Sequence, residues 1–374
     1  MGNPRAAVLG MVGGGQLARM TAQAAVSLGL SLRVLADRSD DSAALVVPEV
    51  EIGAADDLAA LSRFAKACDV VTFDHEHVPQ DRLQAMEADG VVVRPGSRAL
   101  LYAQDKLAQR QRLGEMGIPV PVFAPAATAA DVAAFGDEHG WPVVLKAVRG
   151  GYDGRGVWVL SEPPADLPGA NVYVEQRVPL VHELALQVAR RPSGEMTAWP
   201  LVETVQQDGI CVEVIAPAPR ISPALAADAQ SIAMRLAEEL DVTGVLAVEL
   251  FEAPGGLVVN ELAMRPHNSG HWTINGSRTS QFEQHVRAVL DWPLGDPTPT
   301  APVSVMVNLL GGDHTDLSQT LPRALGEVPE AAIHLYGKGA RPGRKLGHVT
   351  VCGSDLVETR ERARLAVALL RGEA

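Results

Sequence analysis

GVLAVELF, residues 244–251, and GLVVNEL, residues 256–262, stand on either side of the turn Ala253-Pro254-Gly255-Gly256. Two strongly apolar runs joined by so short a connection make an antiparallel hairpin. Centred on Gly255, the hairpin sets Glu249 opposite Glu261 on one face, with the two backbones about 5 Å apart. Like charges so placed repel. A divalent cation between them removes the penalty, and hard carboxylate oxygens completed by phosphate oxygens are what magnesium prefers, with manganese also possible. Asn260 offers another oxygen near the strand end. Two solvent-facing glutamates, the alternative, fit poorly with the apolar runs on both sides.

Upstream, Lys146 sits inside the apolar run PVVLKAV, residues 142–148. A lysine there is costly unless its ammonium reaches water or an anion, and a phosphate would satisfy it. GGYDGRG, residues 150–156, follows at once, with four glycines in seven residues. A two-residue turn would suffice to connect two strands, so the extra glycines suggest a mobile cover whose amides fold over a polyphosphate.

Before Asp105 the chain alternates short apolar runs with helical stretches. Strands are expected at Ala6–Gly10, Leu32–Ala36, Val70–Phe73 and Val91–Val93, a parallel α/β pattern. VLGMVGGGQLARM places a glycine turn between strand and helix, and Gly13, Gly15, Ala18 and Asp37 satisfy the dinucleotide fingerprint. Taken alone this says NAD. Its physical content is narrower: backbone amides at a helix start favour some anion, and a tight packing turn is the plain alternative. The proline-rich GIPVPVFAP, residues 117–125, follows a helix starting near Asp105 and marks a boundary. The next part reads as antiparallel strands. A helix is expected near Ala226–Leu240, a stiff crossing at Pro293–Pro302, and a last helix over Asp355–Arg371. The division expected is an α/β first unit over 1–104, a nucleotide unit over 105–300 with a lid over about 125–180, and a small last unit over 301–374.

Composition limits what these units do. The 374 residues are 47% apolar and 21% charged, and no run of eighteen apolar residues appears, so neither a membrane span nor disorder is expected. The first residues lack a signal-peptide core, making the cytoplasm the expected location. Cys68, Cys211 and Cys352 are far apart and odd in number, which argues against disulfides and a thiolate metal site; buried small hydrophobes are expected. A net charge of −13 disfavours nucleic acid as partner and requires a local basic patch for any anionic substrate. Lys338, Arg341, Arg344 and Lys345, with no acid among them, form such a patch.

The residues together resemble a family. GGGQLARM, AQDKLAQR, GGYDGRG, VEQRV with HEL, QQDGI, AVELF with VNELAMRPHNSGHWT, and YGKGARPGRKLGH are similar over nearly the whole chain to the 5-(carboxyamino)imidazole ribonucleotide synthase family of the ATP-grasp superfamily. The resemblance implies an ATP-grasp fold with a Rossmann-like pre-ATP-grasp domain and a small C-terminal domain. It implies that Lys106 and Lys146 hold ATP phosphates under the loop Gly151, Tyr152, Asp153, Gly154, Arg155, Gly156 and Val157. Glu175, Gln176, Arg177 and Val178 would line adenine, and Glu183 would take the ribose. Glu249 and Glu261 would hold magnesium, with Asn260 beside them. Arg265, His267 and Asn268 would surround the activated bicarbonate. Gln16, Leu17, Glu76, Tyr152, Asp153, Lys338, Arg344 and Lys345 would bind the ribonucleotide, Asp153 and Lys338 serving the chemistry as well. Two places depart from the family: TFDHEHVP has Asp74 where glutamate is more usual and His75 where an aromatic is, and Gln206 stands where histidine is common, which weakens its nucleotide contact.

The implied reaction is ATP- and bicarbonate-dependent carboxylation of 5-aminoimidazole ribonucleotide through carboxyphosphate, in purine synthesis. With no mutase segment after Ala374, the carbamate product is expected to pass to a separate mutase, and the family suggests a homodimer. The rivals are a formate-using glycinamide ribonucleotide transformylase, disfavoured by NSGHWT, and an NAD oxidoreductase, which leaves the carboxylate hairpin unexplained.

Overall fold

The computed structural model describes residues 7–151, 154–169, 171–312 and 317–374. Strands β1 (Val8–Val12), β2 (Ser31–Ala36), β3 (Glu49–Ile52) and β4 (Val70–Phe73) form a wholly parallel sheet in the order β3-β2-β1-β4. Val91–Val93 is not a strand. Only Val93 bridges to Val71, and Pro95 follows too soon for the ladder to grow, since proline has no amide to donate. In its place the sheet gains β3, whose sequence EVEI has no apolar run because both faces stay partly open to solvent.

Strands β5 (Phe123–Ala126), β6 (Val143–Ala147), β7 (Val157–Leu160) and β8 (Val172–Gln176) form a second sheet, antiparallel, in the order β5-β8-β6-β7. The helix Ala129–His139 starts in a capping box, Thr128 with Asp131, and lays Val132 and Phe135 on Val143, Leu145, Val172 and Val174. The remaining strands are β9 (His182–Arg190), β10 (Met196–Ala198), β11 (Val202–Gln207), β12 (Ile210–Ala216), β13 (Gly244–Ala253), β14 (Gly256–Ala263), β15 (Val303–Leu310), β16 (Ala332–Leu335) and β17 (Lys345–Gly353). They share one antiparallel sheet ordered β14-β13-β9-β11-β12-β15-β17-β16, with β10 on the side of β9. Because β15 pairs with β12, strands from both sides of the proline-rich crossing belong to the same sheet.

The helix Pro223–Glu239 covers this sheet with Ala229, Ala233, Leu236 and Ala237, at the spacing of one helical face. Alanines let the helix approach closely, so Ala233→Leu would overpack it at a cost of about 1–3 kcal/mol. The main core continues through Leu184, Leu246 and Leu262 to Leu61, Phe64 and Phe73 of the first unit, each buried leucine contributing roughly 1.5–3 kcal/mol. Buried His285 joins the two units: Val245 N–H donates to its Nδ1 (3.1 Å), and its Nε2 lies 2.8 Å from Thr72 Oγ1 of β4.

The register of the β13–β14 hairpin decides the site. The turn is Pro254-Gly255, with Ala253 opposite Gly256 and Leu250 opposite Val259. Continued without interruption, that register would put Glu249 opposite Asn260. An extra residue in β14 shifts the ladder between Glu249 and Leu250, and Glu249 faces Glu261. The expected centre at Gly255 is therefore corrected, while the pairing of the glutamates stands. Among the described residues no helix is long and apolar enough to cross a membrane. The three cysteines are free and half-buried, more open than expected.

Candidate active site

The β14 irregularity gives consecutive residues, Asn260 and Glu261, access to one cleft, which strict alternation along a strand forbids. Glu261 accepts from Lys106 Nζ, and Asn260 Oδ1 accepts from Lys146 Nζ at 3.1 Å. Lys106 opens the helix Lys106–Glu115, capped by Asp105, whose Oδ1 accepts from Ala108 N–H at 2.9 Å. Lys146 does not snorkel outward from β6. Its ammonium is 2.5 Å from Glu175 Oε1, and Arg110 grips Oε2 of the same carboxylate at 3.0 Å. Burial pushes Lys146 below the usual ammonium range, against the pull of Glu175. Burial also opposes the charge on Glu175, but Lys146 and then Arg110 outweigh it and hold this carboxyl below the usual range. The Glu175 side chain faces inward as a counter-charge. Arg110 was not singled out from sequence. Its position four residues after Lys106 on one helix face is the signal that could have found it.

Opposite these cations, burial and the neighbouring Glu261 charge push Glu249 up to about 7. Glu261 goes the other way: burial opposes its charge, but Lys106, with Lys146 and His267 behind it, outweighs that. Two carboxylates that face each other at this range repel unless positive charge lies between them. The two glutamates fit a hard divalent cation, but among the described residues no group of three or more His, Cys, Asp or Glu could hold a metal ion. The cation would need oxygens from a ligand, and phosphates supply them. His267 Nε2 is 3.5 Å from Glu249 Oε1, while its Nδ1 lies 2.8 Å from Ser269 Oγ. Asn268 Nδ2 is buried without a hydrogen-bond partner among the described residues, and its amide lies near enough to Cys211 to act on that thiol. Lys345 begins β17, close enough for its charge to act on Glu249.

On the far side, Arg265 Nε donates to Glu76 Oε2 at 2.8 Å, so residues expected at two different ligands meet directly. The glycine turn departs from the nucleotide reading. Asp74 accepts from Gly15 N–H (2.7 Å) and Ala18 N–H (2.8 Å), filling with an internal carboxylate the place a pyrophosphate would take. Gly15 is required by that cap, because a Cβ there would lie 2.0 Å from Asp74 Oδ2. Asp37 is exposed. The amides of Gln16 and Leu17 are not taken by Asp74, and Gln16 Oε1 accepts from Lys338 Nζ. Lys338 also lies over the Tyr336 ring, 5.8 Å from its centroid. Arg344 Nη1 donates to Gly339 O at 3.2 Å, closing its own loop.

Tyr152 and Asp153 lie outside the described residues. The glycine-rich loop starts beside Lys106: a Cβ on Gly151 would be 3.8 Å from Lys106 Cε. Gly154 and Gly209 both have φ of +75°, and a Cβ on Gly209 would reach Gly154 Cα at 2.9 Å, so the loop rests on the β11–β12 turn. Arg155 is exposed and Val157 opens β7. Gln176, which ends β8, and Arg177 after it are exposed, with Val178 half-buried. Glu183 is raised by burial, while its neighbour His182 pairs with Glu252 at 2.7 Å. Gln206 is half-buried opposite Cys211, at an irregularity in the β11–β12 ladder.

Comparison with known proteins agrees with this geometry. The chain matches the ribonucleotide synthetase preATP-grasp domain over residues 6–104, the ATP-grasp domain over 111–282 and the phosphoribosylaminoimidazole carboxylase C-terminal domain over 304–362. It is 54% identical over 374 residues to the N5-carboxyaminoimidazole ribonucleotide synthase of Mycobacterium tuberculosis, covering 96% of this chain and 87% of that one. The crystal structure of the Thermus thermophilus N5-carboxyaminoimidazole ribonucleotide synthetase superposes with a TM-score of 0.87 at 38% identity, covering 98% and 99% of the two chains. The Aspergillus clavatus N5-carboxyaminoimidazole synthase, in complex with ADP and 5-aminoimidazole ribonucleotide, gives 0.88 at 33% identity, with 98% of each chain covered. With the carboxylate hairpin, its two lysines and the glycine-rich cover in one cleft, the chain belongs to the N5-carboxyaminoimidazole ribonucleotide synthases, ATP-dependent ligases of the ATP-grasp superfamily that act in purine synthesis.

Proposed function

We propose that this cleft joins ATP to bicarbonate and passes the activated carboxyl group to the exocyclic amine of 5-aminoimidazole ribonucleotide, with the residues divided as follows. Lys106 and Lys146 hold the phosphates, Asn260 and Glu175 keep Lys146 extended toward them, and the loop from Gly151 to Val157 excludes water. Glu249 and Glu261 hold magnesium, or manganese, which when bound offsets charge on the transferring phosphoryl group. A bicarbonate oxygen attacks the terminal phosphorus, the bond to the bridging oxygen of ADP breaks, and carboxyphosphate forms between Arg265, His267 and Asn268. The amine then attacks the carboxyl carbon, inorganic phosphate leaves, and Asp153 takes the amine proton. Gln16, Leu17, Glu76, Lys338, Arg344 and Lys345 hold the ribonucleotide; Gln176, Arg177, Val178, Glu183 and, more weakly, Gln206 face the nucleoside of ATP.

The observation that carries this reading is the Arg265–Glu76 ion pair, because it closes the gap between the phosphoryl end and the ribonucleotide end of one cleft. The chain works in the cytoplasm as a homodimer and releases its labile carbamate to a separate mutase. ADP release, measured with bicarbonate, formate, 5-aminoimidazole ribonucleotide and glycinamide ribonucleotide supplied in turn, tests the assignment. Turnover should require bicarbonate with 5-aminoimidazole ribonucleotide. Formate-dependent release with glycinamide ribonucleotide would move the chain to the transformylase reaction.

A further inference from the structure

Gln281 is fully buried at the start of the helix Gln281–Val289 and belongs to none of the motifs above. Its carboxamide is spent almost wholly on one residue. Oε1 accepts from His267 N–H at 2.8 Å, and Nε2 donates to His267 C=O at 2.7 Å. A backbone N–H only donates and a carbonyl only accepts, so this amide has one possible orientation. The second Nε2 hydrogen points to His271 Nδ1 at 3.0 Å, which makes that nitrogen an acceptor. The Gln281 backbone N–H donates to Thr273 Oγ1 at 2.9 Å, and that hydroxyl donates to Gly270 O at 2.6 Å. The segment after His267 is therefore tied to the helix start at both ends. The contact is close enough to need glycine at position 270, where a Cβ would lie 2.3 Å from Gln281 Oε1.

A side chain that copies one rung of a β-ladder onto a single residue fixes that residue's main chain, and with it the origin of its side chain. His267 is half-buried, with Nδ1 on Ser269 Oγ and Nε2 toward Glu249. Ser269 Oγ in turn accepts from Gln187 Nε2 at 2.7 Å. We propose that Gln281 is a positioning residue for the carboxylation chemistry, clasping the main chain of His267 so that imidazole Nε2 is held at the carboxylate hairpin. This rests on the reading of His267 as a residue that touches the activated bicarbonate.

The test is a double-mutant cycle on turnover at saturating ATP, bicarbonate and 5-aminoimidazole ribonucleotide, using Gln281→Leu, His267→Ala and the pair. Gln281→Leu should lower kcat about 10- to 100-fold and change KM for ATP by less than about threefold, because the lysines and the loop are untouched. His267→Ala should lower kcat at least as far, and adding Gln281→Leu to it should cost less than about a further twofold, since the clasp would then have nothing left to position. An equal loss in both backgrounds would show that Gln281 acts elsewhere and overturn the proposal. Full activity of a folded Gln281→Leu would do the same. Wild-type turnover in His267→Ala would remove His267 from the chemistry, refuting the underlying reading and the clasp with it. If the leucine variant does not fold, Gln281→Asn, one methylene shorter and still polar, carries the same cycle.

Discussion

Acid should loosen the junction between the parallel sheet and the nine-stranded sheet through His285. Val245 N–H donates to its Nδ1, so the neutral ring carries its proton on Nε2 and offers it to Thr72 Oγ1. A second proton would have to sit on Nδ1, facing another donor in the core. Burial accordingly pushes this imidazole down to about 3 from an ordinary 6.5. With the folded value depressed, the unfolded chain binds the extra proton first. The contribution of His285 is thus fully present above pH 6.5 and is lost progressively as pH falls toward 3. The linkage relation gives a loss of roughly 1 kcal/mol between pH 7.5 and 5.5, and roughly 3 kcal/mol by pH 4.5. His271 and His348, also buried and held well below 6.5, act in the same direction. His285→Gln keeps an acceptor for Val245 and a donor for Thr72 but cannot titrate. Urea unfolding, followed by the fluorescence of buried Trp199 and Trp272, should show wild-type stability falling more steeply with acid than that of the variant, by nearly one proton. Parallel pH profiles for the two proteins would refute the argument.

Other changes probe the cleft. Glu261→Gln should leave the fold intact and lower turnover by about two to three orders of magnitude, measured at limiting magnesium, because an anionic ligand facing Glu249 and Lys106 is lost. Lys338→Ala should weaken 5-aminoimidazole ribonucleotide by about 1.5–3 kcal/mol while leaving the KM for ATP nearly unchanged; equal losses for both substrates would point to a general defect. Arg110→Met leaves the carboxylate of Glu175 buried with Lys146 and the Tyr173 hydroxyl but without its second cation, and should cost about 3–5 kcal/mol of stability in thermal or urea unfolding. Adding Glu175→Gln to Arg110→Met should recover part of that loss, and no recovery would mean that Arg110 acts through packing rather than charge.

The parts of this protein legible in its sequence are those where a local pattern and a chemical need coincide. The apolar runs around Glu249 and Glu261 announce a hairpin and its like-charge penalty together, and the glycines after Lys146 announce a loop too permissive for a simple turn. The opposition of the glutamates, however, has a cause the sequence pattern hides. The turn sets one register, and one extra residue near Asn260 replaces it with another. Without that shift Glu249 would meet an amide, and the facing carboxylates that fit a cation would not form. The same limit governs the glycine turn at the start of the chain. Gly13, Gly15 and Ala18 have the spacing of a nucleotide fingerprint, yet the anion that meets those amides is Asp74, brought from fifty-nine residues beyond Gly15 by the parallel pairing of β1 with β4. Local spacing specifies that an anion is wanted; only the long-range pairing of strands decides whether it is a ligand or the chain's own carboxylate. Arg110 and Gln281 belong to this second kind. Neither side chain is unusual for a helix, and each acquires its role from a partner that the sheets deliver, Glu175 in one case and His267 in the other. The residues proposed to touch ligands can thus be found by motif, whereas those that hold them in place become visible only once distant segments are packed together.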